Sequence, residues 1–335
     1  MIRVTLCAGL TLFVVACVTQ RPASTKPPVL REAVQKLAAA VQGAGGKMDI
    51  TEGAPVSLDL YDGSNPLKGK GGLNTRVTDA WLANVAGFTT LTNLDLANCD
   101  VRGPGLAHVG RLGQLRRLNL TLTPVTDDSL AALAGLTRLQ ILSLASTHCT
   151  GRGFRALGPL QDLRNLNFHY TPVDDDGLRE ISRLTQLERL EIVHTQFTDA
   201  GAVHLAKITG LRRLQLGSRK ATGAAIAAVA KLPALRELDL HDGQASPEGV
   251  RHAAGMPSLR LLRVYGAIGD AGAAPLNRLV GLEELVVRNC GLTDASAETL
   301  GALKNLRRLD LSGNKLSEAG MARLRAALPR CEIVH

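Results

Sequence analysis

The sequence predicts an α/β solenoid, a right-handed coil with a parallel sheet on its concave side and helices on its convex side. Three observations predict it. A unit of 24 residues begins at Leu91 and recurs at Leu115, Leu139, Leu163, Leu187, Leu211, Leu235, Leu259, Leu282 and Leu306, with only the Leu259 unit one residue short. Within a unit, leucines at the first, fourth and sixth positions alternate with polar residues, as in a strand that buries one face. Each unit then ends in an apolar tail such as Leu130, Leu133 and Leu136, spaced for the inner face of a helix. Strand, turn, helix and next strand in one direction give a parallel sheet with right-handed crossovers.

The N-terminus carries an address rather than fold. Val4 to Ala16 is apolar but short for a bilayer span, which favours a secretory signal. The run ends Val14-Val15-Ala16-Cys17 and resembles the lipobox of bacterial lipoproteins. That resemblance implies lipidation of Cys17, a mature chain starting there, and anchorage in the cell envelope. Val18 follows the cysteine, not the aspartate of inner-membrane retention, which favours the outer membrane. Thr19 to Pro28 (TQRPASTKPP) reads as a polar tether.

Leu30, Ala33, Val34, Leu37 and Val41 form a helical stripe, stopped by the glycines at 43 to 46. Lys47 to Ile50 and Val56 to Tyr61 then read as two strands, and Leu58-Asp59-Leu60 already copies the repeat. Helix and hairpin together are expected to cap the first open sheet edge. Asp62 to Arg76 interrupt this unit with Gly63, Gly69, Gly71, Gly72, Lys68 and Lys70. The spacing does not fit a phosphate loop, because Gly71 stands where a magnesium-binding hydroxyl would be needed. The division is therefore 1–16 signal peptide, 17–28 lipid-anchored tether, 29–60 N-terminal cap, 61–76 glycine-rich loop insertion and 77–335 repeat domain.

Each unit reads L-x-x-L-x-L-x-x-(T/C/N)-x-(V/L/F)-(T/D)-D-x-G-(L/A). This resembles the leucine-rich repeat family, in the short T-D-x-G form common in bacterial envelope proteins, a ribonuclease-inhibitor-like horseshoe. The resemblance implies that the ninth side chain (Thr123, Thr147, Thr171, Thr195) points inward and bonds the turning backbone. The T-D pair, as in Thr126-Asp127 and Thr198-Asp199, is expected to supply a helix N-cap. The pattern breaks where the ninth position becomes Arg219, Gly243 and Ala267, and Pro275 falls inside the helix of the short unit. A changed curvature, a partner site and plain drift all account for this break.

Aromatics make up only 3% of the chain, so any exposed tyrosine is informative. The net charge of +9 is spread through the repeats without interleaved aromatics, which argues against nucleic acid. Cys99 and Cys290 lie eight strands apart, about 38 Å at the strand spacing and far beyond a disulfide's reach. These two, Cys149 and Cys331 are expected to be small buried residues.

The third, fifth, seventh and eighth positions are expected to face solvent on the concave side, and the larger side chains gather between Leu163 and Val280. The candidate binding residues are His169, Tyr170, Glu191, His194, Arg213, Asp239, His241, Arg263 and Tyr265. His169, Glu191 and His194 come nearest to a metal trio but lack a close ligand pair such as H-x-x-x-H. No G-x-S-x-G or papain-like cysteine context occurs. The expectation is a non-catalytic module without cofactor that binds a protein partner through its concave sheet. The alternative is an anionic envelope glycan on a basic rim made by Arg116, Arg164, Arg212, Arg236, Arg260 and Arg307 at the second position.

Overall fold

A computed structural model describes residues 28–61, 63 and 72–335. The signal segment, Cys17, most of the tether and the centre of the glycine-rich insertion lie outside the described residues. Among those described, thirteen strands form one sheet. The hairpin Lys47–Thr51/Ala54–Asp59 is antiparallel, and every later neighbour is parallel. The helix Pro28–Gly43 packs on the hairpin through Leu37 and Val41, so the cap covers the first repeat as expected.

A period that equals one turn of the coil stacks like on like. The fourth-position leucines pair in register from Leu58 through Leu94, Leu118, Leu142, Leu166, Leu190, Leu214, Leu238, Leu262 and Leu285 to Leu309. Ile333 closes the column. The leucines of this column are all buried, and Leu130, Leu133 and Leu136 close the core from the convex side. The convex helices are short, an α turn such as Asp127–Leu130 running into a 3-10 turn, Ala131–Gly135.

The strand ends at the eighth position, which takes a left-handed backbone in most repeats. Asn98, Leu122, Ser146, Tyr170, His194, Asp242 and Asn289 all have φ between 46° and 59° or, for Leu122, 61°. Such a residue costs about 1–2 kcal/mol unless it is glycine. A backbone bond to the next repeat offsets that cost, as from the Ser146 N–H to the His169 carbonyl and from Tyr170 to Val193. Underneath, the ninth side chain closes the turn: the hydroxyls of Thr123, Thr147 and Thr171 donate to the carbonyls of Leu120, Leu144 and Phe168. The fifth residue helps from above. Asp95, Asn119, Asn167 and Asp310 each accept the N–H two residues on.

The T-D pair does more than cap its own helix. Thr126 makes no cap bond, whereas Thr198 accepts from Ala200. The aspartate reaches the next repeat instead. Asp127 accepts from the Thr150 N–H (2.9 Å), the Thr150 hydroxyl (2.7 Å) and the Gly153 N–H (2.9 Å). Asp175 holds Thr198, Asp199 holds Thr222, Asp270 holds Thr293 and Asp294 holds Ser317 in the same way. This explains the glycine of the motif: a Cβ at Gly201 would run into the Asp175 carboxylate.

Several expectations need correction. Asn74–Thr78 is a strand, so the insertion ends before Asn74. Asn74 is buried and donates to the carbonyls of Ala44 and Leu60, filling the ninth-position role for the cap. Pro275 sits at the start of a 3-10 turn, where its missing N–H leaves no bond unmade. Cys99, Cys149 and Cys290 are buried, but Cys331 is only half-buried. Burial pushes the Cys149 thiol up to about 12 and that of Cys290 to about 11, so both stay protonated.

Leu166→Ala is expected to cost about 2–5 kcal/mol of unfolding free energy, the range for truncating a buried leucine. Asn167→Ala, which loses one bond to the His169 N–H, should cost about 1 kcal/mol, and Asp127→Ala about 1.5–3 kcal/mol. Urea denaturation of the three variants checks the order. Equal losses for Leu166 and Asn167 would contradict the assigned faces.

Candidate functional site

Eight of the nine candidate residues lie on the concave side in two rows, with His169 between them. One row belongs to the third and fifth positions. Arg189 donates to Glu191, Arg213 to Glu237 (2.9 Å), and Gln215 to Asp239 (2.8 Å). Arg263 bridges Asp239 (3.3 Å) and Glu284 (3.2 Å), and Arg288 donates to Asp310 (2.8 Å). Glu191 and Asp239 were expected to face solvent and are instead buried. Arginines fold over both carboxylates: Arg189 covers Glu191 from the same strand, and Arg213 and Arg263 reach Asp239 from the strands on either side. Burial raises the pKa of Asp239, opposed by Arg263 and Arg213.

The second row is aromatic and runs along the strand ends. Tyr170 lies against His194 with ring centroids 4.4 Å apart, His194 meets His241 edge-on at 6.3 Å, and His241 stacks on Tyr265 at 4.4 Å and 20°. Tyr170 and Tyr265 remain 56% and 44% exposed, an unusual state for such large side chains in this chain. His169 lies between the rows, with Nε2 3.9 Å from Glu191.

The row skips a strand, and Gly217 is why. The Gly217 carbonyl accepts from the buried Thr195 hydroxyl. The His194 N–H therefore bonds Asp242, two strands away (3.2 Å), and the same carboxylate holds His194 Nδ1 (3.0 Å). A Cβ on Gly217 would sit 2.7 Å from His241 and 2.9 Å from the Asp242 carboxylate, so only glycine leaves room for this clasp. The irregular repeats thus keep a polar interior by other means. Ser218 pairs with Thr195 after a one-residue shift, and the buried Gln244 amide accepts from the Ser218 N–H and donates to Thr222. Among the repeats, strands are longest here, Arg189–Thr195 and Arg213–Ser218.

Sequence reasoning found both tyrosines and all three histidines of the patch. It missed Asp242 and Gly217 as working members, because a contact that jumps one repeat leaves no mark in a nearest-neighbour pattern. It also missed Arg189, Gln215, Glu284 and Arg288 as partners of the charged row. The basic rim is partly neutralised: Glu188 lies 3.8 Å from Arg164 and 3.9 Å from Arg212, while Glu283 lies 3.9 Å from Arg260 and 3.5 Å from Arg307. Among the described residues no three His, Cys, Asp or Glu side chains are grouped to hold a metal ion.

Burial lowers the His241 pKa to about 4, helped by His169 and His194, and lowers that of His169 as well. The unfolded chain, with histidines near 6.5, binds protons first on acidification. Stability is therefore complete above pH 6.5 and falls as the pH drops toward 4. His241→Phe should shrink this loss. An unchanged pH profile in urea titrations of the variant would contradict the assignment.

A family model described as leucine-rich repeat region matches residues 75–326. An internalin (inlF) from Listeria monocytogenes str. 4b F2365 is 18% identical, with a TM-score of 0.56 over 91% of this chain and 94% of that one. A second internalin (inlC2) from the same strain is 19% identical over 76% and 90% of the two chains, with a TM-score of 0.44. A leucine-rich repeat protein of Leptospira interrogans is 19% identical over 75% and 74%, at 0.42. At these identities the likeness concerns fold alone. No curated protein matches the sequence.

Proposed function

This chain belongs to the leucine-rich repeat family, and from that premise we propose that it is a non-catalytic protein-interaction module, displayed at the bacterial cell envelope, that binds its partner through the concave sheet. One observation carries the reading. Two of the three tyrosines in the chain stand exposed in one stacked row on the concave side, with no packing need to hold them there. Tyrosine and arginine anchor interfaces because they bury a large area behind a polar tip. The long concave sheet offers a surface rather than an enclosed pocket. Glutamates shared among the rim arginines lessen the case for an anionic glycan.

Envelope display rests on the sequence Val14-Val15-Ala16-Cys17. The two or three acyl chains of a lipoprotein would hold the chain firmly where one would not. Mass spectrometry of the mature chain should find a lipidated cysteine at residue 17. An unmodified N-terminus elsewhere would refute the anchor.

With a partner captured from envelope extract, Tyr170→Ala or Tyr265→Ala should weaken binding by more than about 1 kcal/mol while leaving the melting temperature nearly unchanged. Val203→Ser, on the exposed convex side, should have no effect. Reversed outcomes would move the site to the convex face.

A further inference from the structure

The fold sorts charge to opposite edges of the coil. One edge joins each helix end to the next strand start, in segments 110–116, 134–140, 158–164, 182–188, 206–212, 230–236, 254–260, 277–283 and 301–307. These nine segments carry thirteen arginines and lysines against three carboxylates, Asp162, Glu188 and Glu283. On the opposite edge strands end and helices begin, in segments 98–105, 122–129, 146–153, 170–177, 194–201, 218–225, 242–249, 265–272 and 289–296. These carry four arginines and lysines against eleven carboxylates. Many of those carboxylates have a task in the fold, since Asp127, Asp175, Asp199, Asp270 and Asp294 hold the next turn. The basic edge has no such explanation. Eleven of its thirteen bases are exposed. Among the described residues Arg111, Arg116, Lys207, Lys231, Arg236 and Arg278 form no ion pair. Glu188 and Glu283 reach only four second-position arginines and leave this surplus standing.

The basic edge is also level. Third-position residues pair directly across the sheet, from Asn93 opposite Arg117 to Glu284 opposite Arg308, so the strands start side by side. Bending such a sheet about an axis along its strands curves the coil but keeps the strand starts in one plane. Eight strand spacings, about 38 Å, separate the first segment from the last. This edge carries apolar tips as well. Val280, 65% exposed, is the most exposed large hydrophobic side chain among the described residues, and it stands two residues from Arg278. Pro159, Pro233 and Pro257 are exposed on the same edge. The nine segments contain no Phe, Tyr or Trp, so sugars and bases find no ring to stack on.

From this sorting we propose that the basic edge docks on an anionic lipid surface. Its arginines and lysines meet headgroup phosphates, and Val280 enters the boundary with the acyl chains. A plane of positive charge with an apolar tip and no rings matches a bilayer better than a thread of polymer. Docking sets the strands upright on the membrane. The ring row, at the seventh and eighth positions, then lies about 16 Å above the strand starts and faces away from the lipid. The inference adds an orientation to the concave-face reading and does not depend on it.

The test sediments the full chain, prepared without acyl groups, with phosphatidylcholine vesicles that hold either no anionic lipid or about 30% phosphatidylglycerol. The neutral vesicles set the baseline for the apolar N-terminal run. The anionic vesicles should bind at least about tenfold more strongly, and about 0.5 M salt should remove most of the difference. Lys207→Glu, Lys231→Glu and Arg278→Glu combined should lower anionic binding at least about tenfold. Arg219→Glu, Lys220→Glu and Lys315→Glu combined change the net charge equally on the opposite edge, and should lower it less than about twofold. None of these six side chains has an ion-pair partner among the described residues, so both variants should melt like the parent. Val280→Ser should weaken anionic binding several-fold, and the convex Val203→Ser should not. No preference for the anionic vesicles, or equal losses from the two charge variants, would overturn the proposal. So would a heparin fragment that binds more tightly than the vesicles while Val280→Ser alters neither, because the ligand would then be a polymer.

Discussion

Equivalent residues of successive repeats sit one strand spacing apart, about 4.8 Å, and every other feature of this molecule follows from that constraint. It fixes what can be stacked. Leucine on leucine gives a continuous dry column from Leu58 to Leu309. Aspartate beside threonine gives a hydrogen-bonded clamp between neighbouring turns. Arginine over carboxylate gives a paired charged surface. Aromatic rings at the strand ends come to 4.4 Å, close to their preferred stacking distance. A repeat alone buries little, so stability resides in the contacts between turns.

The clamp shows how local strain is tolerated. A non-glycine residue at the eighth position pays a conformational penalty in nearly every repeat. The turn persists because the backbone N–H of that residue, the ninth side chain and the fifth side chain each find a partner there. A glycine replaces the clamp aspartate at Gly103, Gly151 and Gly223. After Gly151 and Gly223 the following helix is capped by its own residue, Asp174 or Ser246, whereas after Gly103 Thr126 makes no such bond.

The irregular stretch from Leu187 to Val264 is a coordinated departure from the pattern. Ser218 and Gln244 replace the missing ninth-position hydroxyls, and the interior remains hydrogen-bonded. Gly217 thins the sheet edge so that His194 and Asp242 join across it. The ring row and the paired arginines overlap this stretch and extend beyond it, to Tyr170 before it and to Tyr265 and Arg288 after it. Extra strand length, a clasp across a skipped repeat and exposed tyrosines thus coincide in one patch.

The sequence by itself determined the architecture. The period, the alternating leucines and the copied L-D-L of the cap set the strand register, the buried face and even the closing role of Ile333, because each depends only on residues one repeat apart. It also located the tyrosines and histidines of the patch. Tertiary structure alone decided their surroundings. Whether Asp239 faces water depends on how far arginines from the adjacent strands can fold over it, and Glu191 on how Arg189 of its own strand folds back, neither of which a linear pattern encodes. Asn74 took the ninth-position role from beyond an insertion, and Asp242 reached His194 across 48 residues, because the coil brought each into hydrogen-bonding range of groups left unsatisfied there. Nearest-neighbour stacking is legible in a repeat; contacts that skip a turn exist only once the turns are wound.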